Sequence, residues 1–440
     1  MSWLLLALGL WCAIHLVNGF RPIRRNKVLF FWSFFASWLT IEAAPVWLVA
    51  EVVAGGLLVW AGALDRVVGW IGLALLVASW IGLAVLYVQG RAATASAAQA
   101  LGDFGADALA GRVPVARRKV VVERNVEYRK VDGKRLKLDV YRPADGPPGP
   151  AAPDAGRRPA IVQIHGGAWI LGDKREQGIP LLRYLAARGW VGFNVNYRLS
   201  PGVTFPGQLV DLKAAVAWIR EHADEYGIDP GFVVVTGGSA GGHLTAMMAL
   251  TANEPSLQPG FESADTSVQA AVPFYGVYDF TNRNETMAPE FLKWVGEPMV
   301  IKAFLADDPD AFRAASPLDQ IHADAPPFLV VHGDHDTLAP VADARLFVER
   351  LRETSSSEVF YVELRGAQHA FDVFGSPRTR RMVQATERFL YSVHDAYLHR
   401  PDSALAPPVN DLTPPVGDLT PAASDLTPAA GEPSPEAVAR

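Results

Sequence analysis

Val233-Val234-Val235-Thr236-Gly237-Gly238-Ser239-Ala240-Gly241-Gly242-His243 is the stretch that decides the fold. Four β-favouring residues run into a Gly-x-Ser-x-Gly pentapeptide, and a helix-like run from Leu244 to Leu250 follows. This is the strand–turn–helix setting that exposes a serine on a tight turn. So sharp a turn crowds the backbone two positions either side of the serine, and Gly237 and Gly241 remove the side chains that would clash. The new helix also aims its free N–H groups and positive dipole end at the place where an oxyanion would form.

Outward from this stretch, short apolar runs alternate with helical ones. Lys119–Val131 and Arg135–Tyr141 read as an antiparallel pair around Val131-Asp132-Gly133-Lys134. Further strands are expected at 160–164, 191–196, 232–235, 268–274, 328–331 and 359–364. Helices are expected around 177–188, 207–226, 239–251, 341–353 and 378–394. Such alternation predicts a mostly parallel sheet with helices on both faces, and ligands in such sheets bind at the carboxyl ends of the strands.

Three segments at those ends suggest acyl transfer. Ser239 is the expected nucleophile, and its hydroxyl needs a base held in one tautomer. His369 follows the last strand and Asp336 the one before it, giving the chain order Ser, Asp, His. Asp334 and Asp372 are alternative acids; Asp336 is preferred for its reach, with Asp334 left to structure the turn. His332 and His335 with two aspartates also resemble a metal cluster, although the strand-to-helix setting favours the triad. After the strand ending at Ile164, Gly166 and Gly167 of His165-Gly166-Gly167-Ala168-Trp169 are expected to donate their N–H groups to an oxyanion together with Ala240. His165 is read as a buttress of that loop. Trp169, Phe205, Tyr275 and Phe371 border these loops and are expected to line a substrate pocket, with 279–315 forming a helical cap.

His165-Gly166-Gly167, Tyr197-Arg198-Leu199-Ser200-Pro201, Gly237-Gly238-Ser239-Ala240-Gly241-Gly242, Ser316-Pro317, Asp336 and His369 together resemble the hormone-sensitive-lipase-like branch of the α/β-hydrolase carboxylesterases. The resemblance covers about residues 118 to 398. It implies the α/β-hydrolase fold and hydrolysis of short to medium acyl esters through a serine acyl-enzyme, with no metal or cofactor. Ser239, Asp336 and His369 match its triad, and Gly166, Gly167 and Ala240 its oxyanion donors. Three positions depart from the pattern. Ala168 replaces a frequent third glycine, Gly238 a frequent acid, and His243 a common asparagine. His-Gly-Gly-x-Trp is also similar to arylformamidases, so an amidase remains an alternative, as does a non-catalytic binding module.

The N-terminal region has a different character. Trp3–Val17 is apolar and is followed by Arg21, Arg24, Arg25 and Lys27, the reverse of a signal peptide's order. Val28–Leu64, as one helix, would extend about 55 Å, well beyond a hydrocarbon core of about 30 Å, and Pro45 is a natural break. Val67–Val88 is a further span. The expectation is a transmembrane region over 1–89 with three or four spans, four preferred, in contact with membrane lipids. A basic loop held in the cytoplasm then puts the catalytic region on the extracytoplasmic side. A linker over 90–115, a catalytic domain over 116–398 and a tail over 399–440 complete the plan.

The 440 residues carry a formal charge of −6, and the tail from Pro401 holds six acids against one arginine. The rest is near neutral, without the basic stripe that nucleic-acid binding needs. The expected partner is a small-molecule or lipid ester. The single cysteine, Cys12, excludes an intrachain disulfide. Asp-Leu-Thr-Pro recurs at Asp411, Asp418 and Asp425, and its prolines rule out a helix, so the tail reads as an extended acidic spacer.

Overall fold

Phe232, Val233, Val234 and Val235 lose all their surface to the protein because both faces of their strand are covered. A computed structural model describes residues 1–23, 29–101, 119–144, 157–287 and 291–399. The chain divides into Met1–Ala396 and Tyr397–Arg440; the expected tail beyond residue 399 lies outside the described residues, as do 102–115 of the expected linker and 116–118 of the expected catalytic domain.

Eight strands form one sheet: β1 (Val120–Val131), β2 (Lys134–Pro143), β3 (Arg158–Ile164), β4 (Val191–Val195), β5 (Ile228–Gly238), β6 (Ala271–Phe274), β7 (Phe328–Gly333) and β8 (Val359–Leu364). Their spatial order is β1-β2-β4-β3-β5-β6-β7-β8, which puts β5 and its serine turn in the middle. β1 and β2 pair antiparallel, as do β2 and β4, while every later pair is parallel. Val131 faces Lys134 across the two-residue turn Asp132-Gly133, whose φ angles of 49° and 76° suit the twist of a hairpin. The helices between strands are α5 (Ile179–Ala186), α6 (Gly207–Glu221), α7 (Ala240–Leu250), α9 (Val341–Thr354) and α10 (Pro377–Leu398), with α8 (Pro309–Ala314) inside the expected cap. That insertion also holds a π-helix, Leu292–Ile301, and it docks on the sheet side through the Phe205 N–H, which donates to Val300 O at 2.9 Å.

The N-terminal region forms α1 (Ser2–Phe20), α2 (Phe30–Glu42), α3 (Ala44–Trp60) and α4 (Val67–Leu101), so α4 continues into the stretch expected to be linker. Ser2–Phe20 and Val67–Ala92 are long and apolar enough to cross a membrane. α2 and α3 meet at 89°, just before Pro45 in the first turn of α3, and would add one crossing if the bent pair counts as a single span. Thirteen residues of α2 reach only about 20 Å.

Small residues let these helices approach closely. A Cβ on Gly72 would stand 2.5 Å from the backbone carbon of Leu5, and one on Gly19 would stand 3.3 Å from Leu86. Leu5 therefore lies beside Gly72, and Gly19 beside Leu86, so α1 and α4 run parallel. α3 runs against α4, with Gly55 beside Leu76. Two parallel helices that both cross a bilayer need an odd number of crossings between them. Parallel packing of α1 and α4 is compatible with one crossing between them, the bent α2–α3 pair.

Candidate active site

Ser239 sits at φ 61° and ψ −121° between β5 and α7, a conformation that side chains rarely adopt. The surrounding backbone over-determines it. The Ser239 N–H donates to Phe274 O at 3.0 Å, and Ser239 O accepts the first helical bond from His243 N at 2.9 Å. A Cβ at position 237 would lie 2.5 Å from Ile164 O, and one at position 241 would collide with the same carbonyl. Both glycines are therefore forced by close approach of β3. Gly238 is equally confined, since a Cβ there would meet Tyr275 Oη at 2.5 Å. That hydroxyl donates to Asp372, and the Tyr275 ring that carries it fills the space that a longer residue before the serine would need.

The structure brings Ser239, His369 and Asp336 into one line. Ser239 Oγ lies 2.8 Å from His369 Nε2, and His369 Nδ1 lies 2.7 Å from Asp336 Oδ2. Asp336 Oδ1 accepts the N–H groups of Leu338 and Ala339, both at 2.8 Å. Burial pushes this carboxyl up, but the neighbouring His369 and the hydrogen bonds from His332 and His369 outweigh it and hold it well below the usual carboxylate range. Asp334 accepts from Gly366 N at 2.6 Å and thereby pins the next loop. Asp372 is held by Tyr275, so neither alternative acid takes the place of Asp336.

His332 sits within this network. Its Nε2 donates to Ala339 O at 3.0 Å and lies 3.3 Å from Asp336 Oδ2.

His165 stacks on Tyr197 with ring centroids 4.4 Å apart, and its Nδ1 lies 2.8 Å from Gly166 O. Gly166 needs correction as an oxyanion donor, because its N–H donates to Gln177 Oε1 at 2.7 Å. It stays close to the serine for another reason: a Cβ at 166 would stand 3.0 Å from Ser239 Cβ. Of the expected donors, Gly167 and Ala240 remain. Gly167 has φ 116°, and Ala240 opens α7, where its N–H has no partner within the helix.

The pocket aromatics also need correction. Trp169, Tyr275 and Phe371 expose 1%, 0% and 0% of their surface, so none of them faces a space that admits water. Trp169 donates from Nε1 to His243 Nδ1 at 3.2 Å, and its ring packs 5.2 Å from Phe280. Tyr275 lies 4.7 Å from the His369 ring with Phe371 behind it, so these two buttress the histidine. Phe205, half-buried and 5.8 Å from His243, is the one of the four that keeps some exposure.

His243 is wholly buried and donates from Nε2 to Ala315 O at 2.8 Å. Burial pushes its pKa from 6.5 down to about 4, although the bond to Ala315 O pulls the other way. It is therefore neutral in the fold and takes up a proton on unfolding at mildly acid pH. Its contribution is present above pH 6.5 and is lost as the pH falls towards 4. At most it amounts to about 3 kcal/mol. In urea titrations at pH 7 and pH 5, the midpoint of His243→Asn should fall less between the two than that of the wild type. Equal falls would contradict this account.

The BD-FAE family model matches residues 138–351. The chain is 40% identical over 399 residues to the probable carboxylic ester hydrolase LipM of Mycobacterium tuberculosis, covering 86% of this chain and 90% of that one. The chain belongs to the hormone-sensitive-lipase-like carboxylesterases of the α/β-hydrolase fold. As such it is a carboxylic ester hydrolase. The esterase LipQ of the same organism is 44% identical over 277 residues, 62% of this chain and 63% of that one. Among solved structures, Thermogutta terrifontis esterase 2 phosphoramylated by tabun matches this carboxylesterase with TM-score 0.51 and 29% identity, over 64% of this chain and 96% of that one.

Sequence reasoning missed Gln177, which captures the Gly166 amide, and the contacts that the N-terminal helices make with the histidine loop. A carboxylate in an apolar helix, Glu42, had no visible cation nearby in the sequence. Its partner is Arg378, 3.0 Å away and 336 positions along the chain. No local pattern signals such a pair.

Proposed function

We propose that this carboxylesterase is a membrane-anchored serine hydrolase of short to medium acyl esters. The observation that carries the reading is the continuous line from Ser239 Oγ through His369 to Asp336, at 2.8 and 2.7 Å. Ser239 attacks the ester carbonyl while His369 Nε2 takes its proton. Asp336 holds the imidazole with Nδ1 protonated and balances the charge it gains. The amides of Gly167 and Ala240 stabilise the oxyanion, each worth roughly 3 kcal/mol in the transition state. His369 returns the proton to the leaving alkoxide, and water then releases the acid by the same route. The covalent organophosphorus adduct named for the Thermogutta terrifontis esterase supports a reactive residue of this kind.

Profiling the full-length protein on p-nitrophenyl esters of graded acyl length tests the substrate class. Highest kcat/KM is expected at butyrate-like lengths, with matched anilides cleaved far more slowly. Preference for the anilides would favour an amidase instead.

For the anchor, α1, α3 and α4 cross the bilayer, and α2 lies at right angles to α3 along the membrane face of the hydrolase. The C-terminal ends of α1 and α4 share one end of the bundle. Arg21, at the end of α1, therefore lies on the side of the catalytic region, and the positive-inside rule puts both in the cytoplasm. Protease added to intact cells should leave the catalytic region uncut; its digestion there would reverse the assignment.

A further inference from the structure

The outer side of the histidine loop is covered by α2. Gln368 Nε2 donates to Ser37 Oγ at 2.8 Å, and Trp38 Nε1 donates to Ala370 O at 3.0 Å. Arg378, at the start of α10, donates to Glu42 Oε1 at 3.0 Å. Ser37 and Gln368 have no exposed surface, while Glu42 keeps 6% and Arg378 2%. The ring of Phe34 stands edge-on to the His369 imidazole, 6.3 Å between centroids.

Gln368 is the hub of these contacts. Its Oε1 accepts the N–H of His369 at 2.8 Å and that of Thr337 at 2.9 Å. Thr337 directly follows Asp336. With its oxygen taken by these two N–H groups and by the Thr337 hydroxyl at 3.3 Å, the amide must turn its nitrogen towards Ser37. Ser37 Oγ in turn donates to Phe34 O at 3.1 Å, which leaves the hydroxyl oxygen to accept. One side chain thus ties together the aspartate loop, the histidine's own backbone and a helix of the N-terminal bundle.

We propose that α2 is part of the active site, and that Ser37, acting through Gln368, is a positioning residue that keeps His369 and Asp336 in register. This rests on the serine-hydrolase reading above. Turnover then depends on the docking of an apolar helix that lies some three hundred residues before the loop it holds. A hydrolase region cut free of α2 would keep Ser239, Asp336 and His369 and still lose much of its rate.

The test uses the full-length protein in lipid nanodiscs. Ser37→Ala should lower kcat by about tenfold or more while KM stays within about twofold, because a misplaced base slows chemistry without altering substrate binding. Trp38→Phe keeps an aromatic ring but removes the N–H that bonds Ala370 O together with the second ring of the indole, and it should show the same selective loss. Ser33→Ala is the control. Ser33 is equally buried on α2 but bonds to Asn18 and Ile23, and its removal should leave kcat unchanged. Wild-type kcat in both Ser37→Ala and Trp38→Phe would overturn the proposal. So would an equal loss in Ser33→Ala, which would reduce α2 to a stabilising element. If the wild type labels at Ser239 with a fluorophosphonate and both Ser37→Ala and Trp38→Phe turn over normally, only this inference falls. If the wild type does not label there, the serine-hydrolase reading falls and takes this inference with it.

Discussion

Ser239→Ala should lower kcat on p-nitrophenyl butyrate by about four to six orders of magnitude, with the fold intact. The substitution removes one oxygen atom and leaves the turn unchanged. The strain at residue 239 is imposed by its neighbours, through the bond from its N–H to Phe274 O and the close approach of Ile164 to Gly237 and Gly241. Alanine inherits the same φ of 61° without relief or added clash. Circular dichroism and the thermal midpoint should therefore match the wild type while hydrolysis disappears. Activity within about tenfold of wild type would place the nucleophile elsewhere.

Asp336→Asn should lower kcat by about ten-thousandfold with little change in KM. The geometry dictates which way the new amide points. Oδ1 accepts two backbone N–H groups, from Leu338 and Ala339, so an oxygen must stay there. The amide nitrogen then takes the Oδ2 position, 2.7 Å from His369 Nδ1, where it can only donate. His369 is driven to the tautomer with the proton on Nε2, and that nitrogen can no longer accept the serine proton. Asp334→Asn is the comparison: its carboxylate accepts from Gly366 N, and its replacement should disturb the loop while sparing most of kcat. Equal losses in the two variants would contradict the assignment of the acid.

The parts of this site that could be read from sequence are those set by local backbone demands. Glycines at 237 and 241 are required because β3 passes close to the turn, and a Gly-x-Ser-x-Gly pentapeptide between β-favouring and helical runs reports that directly. The order of strands and helices follows from periodicity, and with it the placing of Asp336 and His369 at strand ends. Side-chain capture was hidden. Nothing near Gly166 announces that Gln177 will take its amide, eleven residues on. Proximity in sequence puts the aromatics beside the catalytic loops, but Tyr275 and Phe371 turn inward to support His369. Composition measures apolarity and not direction, so the sequence left the span count at three or four. The parallel run of α1 and α4 emerges only from contacts such as Leu5 with Gly72. The coupling of α2 to the histidine loop joins residues 331 positions apart, Ser37 and Gln368, through hydrogen bonds that no periodicity encodes.

The pair Glu42–Arg378 belongs to the same junction. Breaking a buried ion pair from one side typically costs about 3–5 kcal/mol. Its place between the bundle and α10 explains how an apolar helix can carry a carboxylate without a cation in its own segment.

The most direct test of the central claim is peptide mass spectrometry of the full-length protein after reaction with a fluorophosphonate probe. The account predicts a single adduct, on Ser239, that is absent from Ser239→Ala. An adduct on another residue, or undiminished labelling of the Ser239→Ala protein, would contradict it.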